Sequence, residues 1–300
     1  MPDSRRLTHA PGARRTLGAL AVTAALVGVA AGAQGQAPAR HYGGGTIADP
    51  PTSIYDAGNV VISLRATANG KVQILAYMGA KCPTAFVRVN ATRAADGSFA
   101  VAGTTKRADG GQRISTKYEI SGTVSAPTAA GTASATTTLK RAGSAARTCK
   151  SGSVRWEARP ATGDIGTPGA AVASARLYGT TSQRVGSRRH GIVMRVSADG
   201  TRVRRVLYTH NLRCAHATLR ERDAVDRNQK IRADGTFSSV ERRTQTGAGG
   251  ARVRTVERFS GKIGSQGAGG TLSITARYVN ASGRTYARCK TATVTWKAAP

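Results

Sequence analysis

The densest grouping of side chains that could hold a metal or form a nucleophile is Thr209-His210-Asn211-Leu212-Arg213-Cys214-Ala215-His216. Imidazole and thiolate are suitable ligands for zinc or copper, and a cysteine beside a histidine can act as a covalent nucleophile. The set is incomplete for either use. A catalytic zinc keeps three protein ligands and a structural one four, and the matching stretch around Cys82 has no histidine. The expectation is therefore no metal, no cofactor and no catalytic residue. Asp96-Gly97 and Asp234-Gly235 recur at matching places, but Asp-Gly before a strand is turn chemistry, and a lone carboxylate supplies no acid/base pair for glycoside hydrolysis. The chain has no Gly-x-Ser-x-Gly elbow, and its Gly-rich stretches lack a P-loop lysine.

Arginine is the residue with the stronger claim to function. The chain has 45 basic and 15 acidic residues, a net charge of +30. Such an excess favours contact with polyanions: nucleic acid, anionic wall polymers or acidic headgroups. Residues 41–159 carry 15 basic against 6 acidic side chains, and residues 177–300 carry 24 against 7. In the second segment the arginines bunch at Arg184, Arg188 and Arg189, at Arg202, Arg204 and Arg205, and at Arg242, Arg243, Arg252 and Arg254. Brought together, these ten would form an anion-binding patch that works through counterion release. No specific nucleic-acid motif accompanies them, so the expected partner is an anionic cell-envelope polymer or another polyanion.

The N-terminus sets the compartment. Arg5, Arg6, Arg14 and Arg15 precede an uncharged apolar run from Leu17 to Ala31 that ends in Ala31-Gly32-Ala33. Basic region, apolar region and small-residue site make a secretory signal over 1–33. The run is shorter than the roughly 20 residues a spanning helix needs, so no transmembrane span is expected after cleavage. The exported remainder holds all four cysteines, Cys82, Cys149, Cys214 and Cys289. An even count in an exported chain implies disulfides, with three possible connectivities.

The elements that must position these groups are written twice. Ile62-Ser63-Leu64-Arg65-Ala66 answers to Ile192-Val193-Met194-Arg195-Val196, Cys82 to Cys214, Asp96-Gly97-Ser98-Phe99 to Asp234-Gly235-Thr236-Phe237, Gly131-Thr132 to Gly270-Thr271, and Cys149 and Trp156 to Cys289 and Trp296. The order never breaks, so the chain is a tandem duplication: domain 1 over 41–159, a Gly/Ala/Pro linker over 160–176, and domain 2 over 177–300. Inside each copy the apolar period is two. Val60, Ile62, Leu64 and Ala66 alternate with Val61, Ser63, Arg65 and Thr67 as a half-buried strand should. Asn69-Gly70 and Asp199-Gly200 supply the positive φ of a hairpin turn.

About seven short strands per copy predict an all-β chain of two tandem antiparallel β-sandwich domains, with β-barrel-like domains as the alternative. In the closing strand of each copy the tryptophan shares a face with Val154 and Ala158, or with Val294 and Ala298, which predicts that both indoles are core. Because Cys149 stands seven residues before Trp156, a bend at Ser151-Gly152 must separate them. A duplicated domain must have been complete alone, so the expected pairs are Cys82–Cys149 and Cys214–Cys289, one disulfide per domain.

The Tyr-Gly-x-x-Thr/Ser opening (Tyr42 to Thr46, Tyr178 to Ser182), the Asx-Gly hairpin, the Asp-Gly-Ser/Thr-Phe segment and the Cys-x6-Trp close resemble a tandem β-domain recurrent in secreted actinobacterial proteins of unknown function. The resemblance covers nearly all of the mature chain and implies fold rather than chemistry. Together the residues predict an exported, non-catalytic binding protein at the cell envelope or outside it, with its basic second domain engaging anionic polymer. The alternatives are a structural surface protein without a specific ligand, and a hydrolase with an unrecognised site.

Overall fold

The computed structural model describes residues 39–47, 57–80, 85–109, 111–160, 164–169, 173–215, 218–246 and 250–300. The expected signal peptide (1–33), Cys82 and His216 lie outside the described residues. Among these residues there is no α-helix, and so no helix long and apolar enough to cross a membrane. The strands of the first copy are β1 (Arg40–Thr46), β2 (Val60–Ala66), β3 (Lys71–Met78), β4 (Ala85–Thr92), β5 (Ser98–Asp109), β6 (Gln112–Ser125), β7 (Thr128–Arg141) and β8 (Arg147–Pro160). Those of the second are β9 (Arg176–Val185), β10 (Arg188–Val196), β11 (Arg202–Cys214), β12 (Thr218–Lys230), β13 (Thr236–Thr246), β14 (Arg252–Gly264), β15 (Gly267–Val279), β16 (Thr285–Lys290) and β17 (Val294–Ala299).

The chain is all-β and antiparallel, and each copy makes one sheet. The first runs β4-β3-β2-β1-β8-β7-β6-β5, and the second β12-β11-β10-β9-β17-β15-β14-β13, with β16 bridging β11 and β15. Apart from β4/β5, β12/β13 and β16/β17, chain neighbours within each copy are sheet neighbours, and the first strand pairs with the last. That is an up-and-down ring rather than two stacked sheets, so the barrel-like form describes both copies. In the first ring the seam between β4 and β5 is closed by a single bridge, Arg93–Phe99. All eight of its strands contribute to one interior cluster that includes Tyr42, Ile62, Ile74, Val87, Phe99, Ile120, Ala133 and Trp156.

The repeated residues hold this geometry. Trp156 and Trp296 are each 1% exposed and lie in the two cores. Each indole covers a pair of glycines directly opposite one another on adjacent strands, Gly122 with Gly131 and Gly261 with Gly270. A Cβ at any of the four would stand 2.5–2.8 Å from the ring's Cζ2. The bend expected between cysteine and tryptophan is a break in the ladder filled by a hydroxyl. The Ala135 N–H donates to Ser151 Oγ at 2.8 Å, and the Ile274 N–H donates to Thr291 Oγ1 at 2.9 Å. Cys214 and Cys289 are bonded. Cys149 is also disulfide-bonded; its expected partner, Cys82, falls outside the described residues.

Two expectations change. Tyr42 and Tyr178 are not equivalent: Tyr42 stands opposite Leu64, while the residue opposite Met194 is Leu177. The tyrosines are one register step apart, and one step reverses the face. Tyr42 points into the first core, whereas Tyr178 packs outside the second with Val61, Val193 and Leu207. Strand β2 is likewise not half-buried. Its second face, with Val61 and Ser63, is covered by the second copy. Ser63 Oγ donates to the Arg189 carbonyl across the junction, and a Cβ on Gly43 would fall 1.8 Å from the Gly179 carbonyl oxygen. Residues 36–300 form one compact unit, with Leu75, Tyr77 and Phe86 of the first ring packed against Val185 of the second.

Candidate anion-binding face

The ten arginines singled out by sequence do not form one patch. Arg188 is buried in the junction, where it donates to the Val89 carbonyl at 3.1 Å and to Asn90 Oδ1. Burial, then Arg88 and Arg65, lower its pKa, and its two hydrogen bonds tie the two rings together. Arg189 and Arg184 stand opposite one another on the same hairpin. Both bear on His41, whose pKa is held down to about 4 by burial first and then by Arg189, Arg65 and Arg184. Arg243 turns inward and pairs with Glu241, its Nε 2.8 Å from Oε1 and its Nη2 2.9 Å from Oε2. Arg202, Arg204 and Arg205 border a cleft beside the β10–β11 hairpin.

Arg242, Arg252 and Arg254 do converge, and register adds to them. On β14 the inward positions hold Glu257 and Phe259, both buried, so Arg252, Arg254 and Arg258 face out and are exposed. Arg254 stands directly opposite Arg277 of β15, and Arg277 opposite Arg288 of β16. Strands in a sheet lie about 4.8 Å apart, so three exposed guanidiniums form a row straight across three strands. Two residues along on the same face, Arg213 of β11 stands opposite Lys290 of β16. The only carboxylates of β13–β16 are Glu241 and Glu257; neither is exposed, and both share the register positions that face the core. Like charges placed opposite each other destabilise a sheet; a polyanion laid across the row would relieve that repulsion. Sequence reading missed Arg213, Arg258, Arg277, Arg288 and Lys290. Strand period could have supplied Arg258, whereas the others depend on register.

The interior of the second ring is unlike that of the first. Matching the ladders sets His210 where the first copy has Met78, Tyr208 where it has Ala76, Glu257 where it has Tyr118, and Glu241 where it has Gly103. Tyr208, His210 and Glu257 are at most 2% exposed. Tyr208 stacks on Phe259, which stacks on Trp296, with ring centroids 6.3 and 5.1 Å apart. Glu241 and Glu257 are cross-strand partners on the core-facing side, Glu257 buried and Glu241 35% exposed, a carboxylate pair that the sequence reading did not find. The signal available was the repeat itself: ionisable residues in copy two at apolar places of copy one. His210 is held neutral, its pKa lowered to about 3 by burial and then by His190. No group of three His, Cys, Asp or Glu side chains among the described residues could hold a metal ion. Asp96 and Asp234 do cap their turns, accepting from the Ser98 N–H at 2.9 Å and the Thr236 N–H at 3.0 Å.

No family model matches the chain, and no curated protein matches it. Among solved structures, the protein described as AttH from Nitrosomonas europaea aligns at 11% identity over 86% of this chain and 91% of its own, with a TM-score of 0.18. Kievitone hydratase from Nectria haematococca aligns at 10% identity over 87% and 89%, with a TM-score of 0.21. At those TM-scores the similarity carries no argument about activity.

Proposed function

We propose that this is an exported, non-catalytic protein that binds an anionic polymer at the cell envelope or outside it, through the outer face of β13–β16. The row Arg254–Arg277–Arg288 carries the reading, because three like charges are held in register against a folding cost. The disulfides at Cys214–Cys289 and Cys149 fit an oxidising compartment. Chromatography of the mature protein on heparin, DNA and isolated cell walls tests it. Retention that falls steeply with salt, and falls further in R254A/R277A/R288A, supports the face. Weak retention of the unaltered protein at low salt would leave the alternative of a surface protein without a ligand.

The carboxylate pair favours a second reading, a hydrolase with its site inside the second ring. Two carboxyl groups in differing environments are the usual equipment for acid/base work, and Glu257 is buried while Glu241 is paired with Arg243. Turnover of any chromogenic glycoside, ester or phosphoester that disappears in E257Q supports this reading. No turnover across such a panel supports binding alone.

A further inference from the structure

The cleft beside the β10–β11 hairpin is separate from the β13–β16 face and is built differently. It has a volume of about 620 Å³ and is lined by Arg195, Arg202, Arg204 and Arg205 together with Ser174, Ser197 and Asp199. Volumes of that order suit a small-molecule ligand.

Three observations show a positioned site rather than scattered charge. First, Arg204 is an addition. In the first copy β2 and β3 pair without a break, Arg65 opposite Gln73 and Ala66 opposite Val72. In the second copy Arg195 stands opposite Arg205 and Val196 opposite Val203, so Arg204 is the extra residue of a bulge. Bulges re-aim side chains and gather at functional edges.

Second, two of the guanidiniums share one neutral clamp. Asn228 accepts from Arg202 Nη1 through its main-chain carbonyl and from Arg204 Nη1 through Oδ1, each at 3.1 Å. Neither contact neutralises an arginine. Asp199, on the lining, is taken up within its own turn by Ser197 Oγ, the Thr201 N–H and Thr201 Oγ1, and Asp226 stands opposite Arg205 in the ladder. Third, the only non-glycine residues with positive φ among the described residues are Ser174 at 57° and Asn228 at 40°. One lines the cleft and the other is its clamp. Backbone held in that region costs energy, and such residues concentrate at ligand sites.

We infer that this cleft binds a compact oligophosphate, an anion with two or more adjacent phosphate groups. Planar guanidiniums bind phosphate oxygens in pairs, and Arg202 and Arg204, both exposed and held side by side by one neutral residue, can each take one phosphate of such an anion. The Ser174 hydroxyl adds a donor on the lining. The site does not depend on the polymer face.

Isothermal titration of the mature protein with inorganic tripolyphosphate at low salt tests the inference, with circular dichroism to confirm folding. Tripolyphosphate should bind at one site per chain, at least tenfold tighter than orthophosphate. R204Q, and a deletion of Arg204 that restores the unbroken ladder of the first copy, should each weaken binding at least tenfold. N228G keeps the left-handed backbone and all four arginines but removes the Oδ1 clamp; it should also weaken binding, which loosely placed charge would not require. R254A/R277A/R288A should bind tripolyphosphate as the unaltered protein does. Equal binding by R204Q, or loss confined to the R254A/R277A/R288A variant, would overturn the cleft. Loss of polymer retention with the cleft intact, or the reverse, separates the two sites.

Discussion

Acid should unfold this protein partly through one residue, and the size of the effect can be worked out. His210 is fully enclosed in the second ring, and its pKa lies at about 3 against an ordinary 6.5, lowered by burial and by His190. A histidine whose folded pKa is depressed contributes no penalty above pH 6.5. Below that the unfolded chain takes up a proton that the folded chain refuses, and stability falls until about pH 3. At pH 4.5 the refusal spans about two pH units, or about 3 kcal/mol. For a chain of this size that is a fall of roughly 6–12 °C in Tm. The variant H210M carries the residue found at the matching place in the first ring, Met78, which is itself fully buried. Urea unfolding of both proteins at pH 7.5 and 4.5 isolates the contribution, because His41 and the turn aspartates titrate in both. The unaltered protein should lose about 3 kcal/mol more than H210M between the two pH values. Equal losses would refute the claim that His210 is buried neutral.

Other expectations follow from the repeated elements. Gly270→Ala would put a Cβ 2.0 Å from the Ser260 carbonyl oxygen and 2.8 Å from Trp296 Cζ2. Backbone cannot yield cheaply there, so the cost should reach about 3 kcal/mol or more, seen as a lowered Tm and a changed near-ultraviolet signal from the indole. Replacing Cys214 and Cys289 by alanine opens a loop with a sequence separation of 75. In the chain-entropy account this costs about 4 kcal/mol, read from the denaturant midpoints of the variant and the unaltered protein; full reduction, which also opens the Cys149 disulfide, should lower the midpoint further than the variant does.

What could be read from sequence was whatever repeats with a short period. The two-residue alternation around Trp156 and Trp296 put both indoles inside, and they are inside. Asx-Gly pairs marked turns because positive φ suits glycine, as at Gly70 and Gly200. Packing between the copies left no such mark. Val61 and Ser63 look like the outer face of a strand whether water or another barrel lies beyond, so the covered junction was not legible. The Tyr-Gly dipeptide misled for a related reason. Letters aligned Tyr42 with Tyr178, while the ladder sets Tyr42 against Leu177 and reverses their faces. For the arginines, clustering along the chain was a poor guide. Arg184, Arg188 and Arg189 are close in sequence, yet Arg188 is buried in the junction while Arg184 and Arg189 bear on His41 of the first ring, whereas Arg254, Arg277 and Arg288 are distant in sequence and adjacent in space. The core-facing carboxylates were hidden because Glu241 and Glu257 meet only through the β13–β14 register.

The central claim is that the outer face of β13–β16 binds a polyanion. Its most direct test is the salt dependence of binding to duplex DNA, used as a uniform polyanion, for the unaltered protein and for R254A/R277A/R288A. Each phosphate neutralised contributes roughly −0.9 to the slope of log affinity against log salt. The account predicts a steep slope for the unaltered protein and one shallower by about 2–3 for the variant. An unchanged slope and affinity in the variant would contradict it.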